Sequence, residues 1–255
     1  MSNKPYILIV TGSFALPSVY DNIVEGVRKH GYDIKAIHLE TAGLAPGKGR
    51  DTPPATMYDD AALIAKEVET LADQGRKVVL VAHSYGGMPA TESTKGLSVQ
   101  ERQKAGKPGG IVRLAYKTVL LASVGKSSID VLGSIPSGPI ENGWYLPGDA
   151  SGAQLVFSGV PKDEAAHWHS KFACHSVICF TNPLTHAGYK DIPVSYLLCE
   201  EDKIISPEIQ KREIEMVEKE TGSKVDVTSI QTGHCPSISV PETVIGWIVD
   251  VAQKS

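Results

Sequence analysis

Short runs of wholly apolar residues recur along the chain, separated by longer stretches in which apolar residues return every three or four positions. The first run, Pro5 to Val10, leads into the tight turn Thr11-Gly12-Ser13-Phe14. A continuous apolar run of this length predicts a strand buried on both faces of a parallel sheet. From about Ser18 to His30 the period becomes helical. Val19, Ile23, Val24 and Val27 form the apolar stripe, Ser18 is placed to cap the start, and Gly31 stops it. Tyr32 to Leu39 predicts a second strand. Residues 40 to 56 carry Gly43, Pro46, Gly47, Gly49, Pro53 and Pro54 and read as a long surface loop. A helix is expected from about Tyr58 to Gln74, with Ala62, Ala65, Val68, Leu71 and Ala72 inward and Gly75 as its stop.

The third apolar run, within KVVLVAHSYGGMPATES (residues 77 to 93), passes through a sharp turn into another helix. Residues 95 to 116 read as a polar insert containing a capping-box pattern, Ser98 with Glu101, and strand four is expected from Thr118 to Ser123. Residues 126 to about 190 break the rhythm with Gly, Pro, Trp144, Trp168 and short helical stretches, one near Lys162 to Lys171. This segment is expected to be a helical cap over a pocket. Alternation then returns: strand Val194 to Cys199, a helix Pro207 to Thr221 opened by proline, strand Lys224 to Ile230, and a last helix Val240 to Ala252. Strands alternating with helices predict an α/β fold, a doubly wound, mostly parallel sheet of about six strands with helices on both faces.

Composition narrows this picture. A chain of 255 residues with 42% hydrophobic residues can fill one large core, and without a linker or repeat it is expected to form a single domain, with core segments 1–125 and 191–255 and a cap insertion of about 126–190. The net charge of −4 is spread out, and the basic stretch around Arg102, Lys104 and Lys107 reads as a solvated face, so no nucleic-acid partner is expected. No apolar run reaches the roughly 18 residues of a membrane span, and the start of the chain enters a strand without a signal-like segment. The four cysteines (Cys174, Cys179, Cys199, Cys235) lack C-x-x-C spacing and are expected to be reduced thiols of a cytoplasmic protein.

The candidate chemistry gathers at strand ends, where ligands bind in such sheets. Ser84 stands at the turn after the third run, with the small residues Ala82 and Gly86 on either side, as a nucleophile elbow requires. A serine hydroxyl needs a base and the base an orienting group. The loop after the fifth strand offers Asp202 and the loop after the sixth offers His234, with Cys235 beside it. His167, His169 and His175 with Cys174 and Cys179 do not form a metal set, because H-x-H on a helix points the rings apart. The glycines after the first strand do not make a dinucleotide fingerprint. No metal and no cofactor are expected.

The stretches ILIVTGSF, VVLVAHSYGGMPATE, VSYLLCEEDKIISPEIQ and TGHCPSISVPE resemble the α/β-hydrolase superfamily, in particular its small esterase, methylesterase and hydroxynitrile-lyase branch, with fungal and bacterial relatives. The order Ser84, Asp202, His234 is that of this fold. The resemblance implies Ser84 as nucleophile, Asp202 as acid, His234 as base, and the backbone N–H groups of Ser13 and Tyr85 as the oxyanion hole. Gly12, Phe14, Trp144, Trp168 and Cys235 are expected to line the pocket. Two positions depart from the branch. Thr11 stands where a histidine is usual, and Gly12 and Cys235 replace the threonine and lysine of the lyases, which argues against cyanide release. The expected activity is cleavage of a small or medium apolar ester, lactone or thioester through an acyl-enzyme. The alternatives are lyase or other non-hydrolytic carbonyl chemistry, or a slow-turnover ligand receptor. The expected partner is a small-molecule substrate, and a homodimer through the cap is the assembly similar proteins often form.

Overall fold

The computed structural model describes residues 4–134 and 138–255. In chain order its elements are β1 (Tyr6–Val10), α1 (Asp21–Lys29), β2 (Ile34–Ile37), α2 (Met57–Asp73), β3 (Lys77–Ser84), α3 (Gly87–Glu92), α4 (Val99–Lys104) and β4 (Gly110–Val119). Then follow α5 (Ser128–Leu132), β5 (Ile140–Glu141), β6 (Trp144–Tyr145), α6 (Ala150–Val156), α7 (Lys162–His169) and β7 (His175–Ser176). The chain closes with β8 (Val194–Cys199), α8 (Pro207–Thr221), β9 (Asp226–Ile230), α9 (Pro236–Ser239) and α10 (Pro241–Gln253).

Six strands form one parallel sheet in the order β2-β1-β3-β4-β8-β9. Alternation along the central strands divides the core in two. Leu8, Val10, Val78 and Leu80 join Met57, Ile64 and Val68 of α2 and Ile214 and Val217 of α8 on one face. Ile7, Ile9, Val79 and Val81 join Ile23 and Val27 of α1 and Val244 and Ile248 of α10 on the other. Each such side chain contributes about 1.5–3 kcal/mol by leaving water, which is why strands apolar at every position settle between two helical layers.

Several elements differ from the sequence expectation. Ser18 caps nothing; it lies in a 3-10 turn, Pro17–Tyr20, that precedes α1. On α2 the inward residues are Met57, Asp60, Ala61, Ile64, Val68 and Ala72, while Ala62 is exposed. The helix starts one turn-defining residue earlier than expected because Thr56 and Asp59 form a capping box. Strand four begins at Gly110, within the stretch read as a polar insert. Arg113 and Lys117 disguised it: Arg113 bonds Ser195 and Ser255 at the sheet's lower end, and Lys117 is buried against the Ser237 hydroxyl.

Between β4 and β8 the chain leaves the main sheet. The expected short helices are present as α5, α6 and α7, and they are accompanied by an unanticipated antiparallel sheet, β5-β6-β7. This small sheet is tied to the loop after β2 by an Ala42–His175 bridge and by the Gly43 N–H donating to the Cys174 carbonyl.

Candidate active site

Ser84 ends β3 with φ +55, a left-handed conformation that a non-glycine residue adopts only under constraint. The constraint is packing. A Cβ on Gly86 would fall 2.6 Å from the Thr11 carbonyl oxygen, and one on Gly87 would fall 2.5 Å from that of Leu120. Glycine at both places lets the turn press against β1 and β4, which lifts the Ser84 side chain above the sheet.

His234 follows β9 and Asp202 follows β8, so both arrive at the same end of the sheet. His234 Nε2 lies 3.0 Å from Ser84 Oγ, and His234 Nδ1 lies 2.8 Å from Asp202 Oδ2. All three are buried. Asp202 Oδ1 accepts the N–H groups of Ile204 and Ile205 at 2.7 and 3.0 Å, and Oδ2 also accepts the Thr118 hydroxyl. Burial alone would raise the Asp202 carboxyl; the His234 imidazole, the Thr118 hydroxyl and the Ile204 N–H outweigh it and hold the group below its ordinary value. A carboxylate so satisfied keeps a proton on His234 Nδ1, leaving Nε2 free to accept one from Ser84.

Thr118 was not singled out by sequence. His83 pairs with Lys117 and Ser84 with Val119, so Thr118 is an extra residue in β4, a bulge with φ +38. The bulge turns its hydroxyl toward Asp202. Nothing in the residue string marks a bulge; it is a property of strand pairing. Three further buried groups beside the site also escaped sequence reasoning. Tyr20 and His83 lie hydrogen-bonded beneath Ser84, and Lys117 sits with its Nζ 5.3 Å over the Tyr20 ring. Burial lowers the Lys117 ammonium to about 8.

Above Ser84 opens a cavity of about 460 Å³. Its floor is the site itself, and Gly12, Ser13, Phe14 and Cys235 line it. Its walls come from the insert: Leu132, Tyr145, Leu155, Val156, Phe172 and Phe180. The structure places Trp144 and Trp168 elsewhere. Trp144 packs its ring on Gly49, because neighbours on a strand face opposite ways and Tyr145 takes the cavity side. Trp168 lies on α7 with its indole N–H toward Glu164 and its ring against His167. His169 reaches the cavity and His175 is buried against Phe14 and Tyr85. Among the described residues no three His, Cys, Asp or Glu side chains are grouped to hold a metal ion. All four cysteines are free and buried.

Ser13 and Tyr85 flank Ser84 from the loop after β1 and from the elbow. Among the described residues, neither N–H donates to a protein acceptor. The Tyr85 side chain points away, its hydroxyl donating to Asp60 at 2.9 Å.

The parallel sheet, the elbow at the end of β3 and the acid and histidine after β8 and β9 define a hydrolase fold of the α/β class. The family model described as "Alpha/beta hydrolase family" matches residues 7–247, and the chain belongs to that family. It is 36% identical over 253 residues to the "Probable hydrolase R7" of a Phoma species, covering 98% of each chain. It is 30% identical over 257 residues to the "Alpha/beta hydrolase nvfD" of Aspergillus novofumigatus, covering 99% of this chain and 98% of that one. Among solved structures it resembles a pyrethroid hydrolase from Sphingobium faniae, with a TM-score of 0.73 at 22% identity over 98% of this chain and 97% of the other, a likeness of fold. No helix among the described residues is long and apolar enough to cross a membrane.

Proposed function

We propose that the protein is a serine hydrolase that cleaves a small or medium apolar carboxylic ester, lactone or thioester through an acyl-enzyme on Ser84. The observation that carries this reading is the line Ser84–His234–Asp202, at 3.0 and 2.8 Å, with Ser84 and His234 on the floor of an apolar cavity. The hydrolase names of the two fungal relatives support it.

The substrate carbonyl lies beside Ser84 Oγ. His234 Nε2 takes the hydroxyl proton as the oxygen attacks, and Asp202 holds the imidazole tautomer and offsets its positive charge. The tetrahedral oxyanion is met by the Ser13 and Tyr85 N–H groups, each such donor typically contributing about 3 kcal/mol to the transition state. His234 returns its proton to the leaving alcohol or thiol. Water then attacks the acyl carbonyl and gives a proton to His234; as the C–O bond to Ser84 breaks, His234 passes that proton to Ser84 Oγ, releasing the acid and restoring the hydroxyl. The cap is the segment 126–190, and its apolar side chains select the substrate by shape.

Intact-mass measurement after exposure to a fluorophosphonate tests the machinery without knowledge of the substrate. One adduct is expected on the wild type, none on Ser84→Ala, and labelling about 10²- to 10⁴-fold slower on His234→Ala. An inert wild type, or an adduct that survives in Ser84→Ala, rules the proposal out.

A further inference from the structure

Tyr20 and His83 lie under the site and are not part of the reacting line. Tyr20 closes the turn before α1, and His83 is the residue just before Ser84. Both are buried. Three hydrogen bonds join them to the two loops that flank Ser84. The Gly12 N–H meets the Tyr20 hydroxyl oxygen at 3.0 Å, the Tyr20 hydroxyl lies 2.8 Å from His83 Nδ1, and His83 Nε2 lies 2.8 Å from the backbone carbonyl oxygen of His234.

The direction of every proton in this chain follows by elimination. A carbonyl oxygen only accepts, so His83 Nε2 carries a hydrogen. Burial, with the Lys117 ammonium next in effect, pushes the His83 imidazole well below its ordinary value, so the ring is neutral and Nδ1 has none. His83 Nδ1 must then accept from Tyr20. The Tyr20 oxygen in turn accepts from Gly12, whose N–H can only donate. Burial keeps the phenol protonated.

We propose that Tyr20 and His83 are positioning residues, a one-way relay Gly12 N–H to Tyr20 to His83 to His234 C=O that locks the oxyanion loop and the catalytic histidine's loop in mutual register. This role rests on the hydrolase reading above. Gly12 immediately precedes Ser13, the proposed oxyanion donor, and the accepting carbonyl belongs to His234 itself. The two loops come from opposite ends of the chain and both border the cavity floor at Ser84. The space between them is filled: a Cβ on Gly12 would lie 3.1 Å from Ser84 Cβ and 3.2 Å from His83 Nδ1. Loss of one link turns a donor toward a non-acceptor. Without the Tyr20 hydroxyl, the Gly12 N–H and the His83 Nδ1 lone pair both lose their partner, while the Nε2–H bond to the His234 carbonyl remains as the one link left. A displacement of about 1 Å between reacting groups can cost about 100-fold in rate.

The variants are Tyr20→Phe, His83→Leu and His83→Gln, each confirmed as folded by its unfolding midpoint. Two readouts are taken on each. The first is the imidazole ¹⁵N spectrum of the resting protein: His83 should show a pyridine-type Nδ1 and a pyrrole-type Nε2 in the wild type, and in Tyr20→Phe the same tautomer with the Nδ1 resonance displaced by loss of its hydrogen bond. The second is fluorophosphonate inactivation. The maximal rate should fall about 10- to 100-fold in Tyr20→Phe and His83→Leu, with half-saturation unchanged within about twofold. His83→Gln keeps a donor toward the His234 carbonyl and should react faster than His83→Leu. A wild type with the opposite His83 tautomer overturns the relay. So does a Tyr20→Phe variant equal to the wild type in Nδ1 resonance and rate while the wild type reacts normally. A wild type inert to the probe but with the expected tautomer overturns the hydrolase reading and the positioning role with it, leaving the hydrogen-bond chain as packing alone.

Discussion

Asp60 is a carboxyl group enclosed at the start of α2, where it accepts hydrogen bonds from the Thr41 N–H and hydroxyl and from the Tyr85 hydroxyl. Burial raises it to about 6 from 3.8 despite these donors, which pull the other way. Between those two values the folded protein keeps a proton that the unfolded chain has released. The stability this proton contributes is complete below the unfolded value and is lost as pH rises through about 6, a loss on the order of 3 kcal/mol. Asp60→Asn cannot ionise and removes that slope. Urea unfolding at about pH 4, 5, 6 and 7 should show the variant gaining on the wild type by on the order of 3 kcal/mol across the range. A difference that does not vary with pH would mean that Asp60 titrates as in water. Asp60 was counted neither as a core residue nor as a site residue from sequence, because an aspartate in the first turn of a helix ordinarily faces water. Ser84, Asp202 and His234, in contrast, were legible as candidates: each follows an apolar run, and each residue type suits one step of acyl transfer. Thr118, Tyr20 and His83 were not, since a hydroxyl or imidazole in a strand or turn carries no mark of what it will face.

At the scale of elements, the start of a helix shows where local signals suffice and where they mislead. Thr56 accepts the Asp59 N–H while Asp59 accepts from the Thr56 N–H and hydroxyl. Ser18 has the same capping chemistry in principle, but the 3-10 turn around it places α1 three residues further on. Thr56→Ala should lower unfolding free energy by about 1 kcal/mol, and Ser18→Ala should change it by less than about 0.5 kcal/mol. Paired thermal or urea melts check this, and equal losses in the two variants would contradict the assignment. The strands were legible wherever the apolar run was unbroken, as in β1, β3 and β8. Strand β4 was misplaced because its two long cations end outside the usual rule, one at the sheet's lower end and one buried. The small sheet β5-β6-β7 was illegible, since two-residue strands have no period to read.

For the whole molecule, the decisive feature is that a segment inserted between β4 and β8 supplies the cavity walls while the segments before and after it supply the floor. Each methylene a substrate buries there should be worth about 0.8 kcal/mol, close to fourfold in kcat/KM, until the chain fills the space. Val156→Phe narrows the wall contributed by α6. In a series of straight-chain p-nitrophenyl esters it should move the optimum to shorter acyl chains by about one to three carbons, with little change for the acetate. An unchanged optimum would place the acyl chain elsewhere.

The sequence by itself determined what depends on neighbours along the chain. It set the apolar runs that must be buried on two faces, the small residues that permit the turn at Ser84, and the order in which Ser84, Asp202 and His234 reach the strand ends. These follow from short-range sterics and from a two- or 3.6-residue period. Tertiary structure decided what depends on register between distant segments. It made Thr118 a bulge aimed at Asp202, turned Tyr145 rather than Trp144 into the cavity, and closed the link from Tyr20 to His83 across 63 residues and from His83 to His234 across 151. A shift of one residue in strand pairing reverses the side to which every side chain points, and that choice is made by the packed whole, not by any local run.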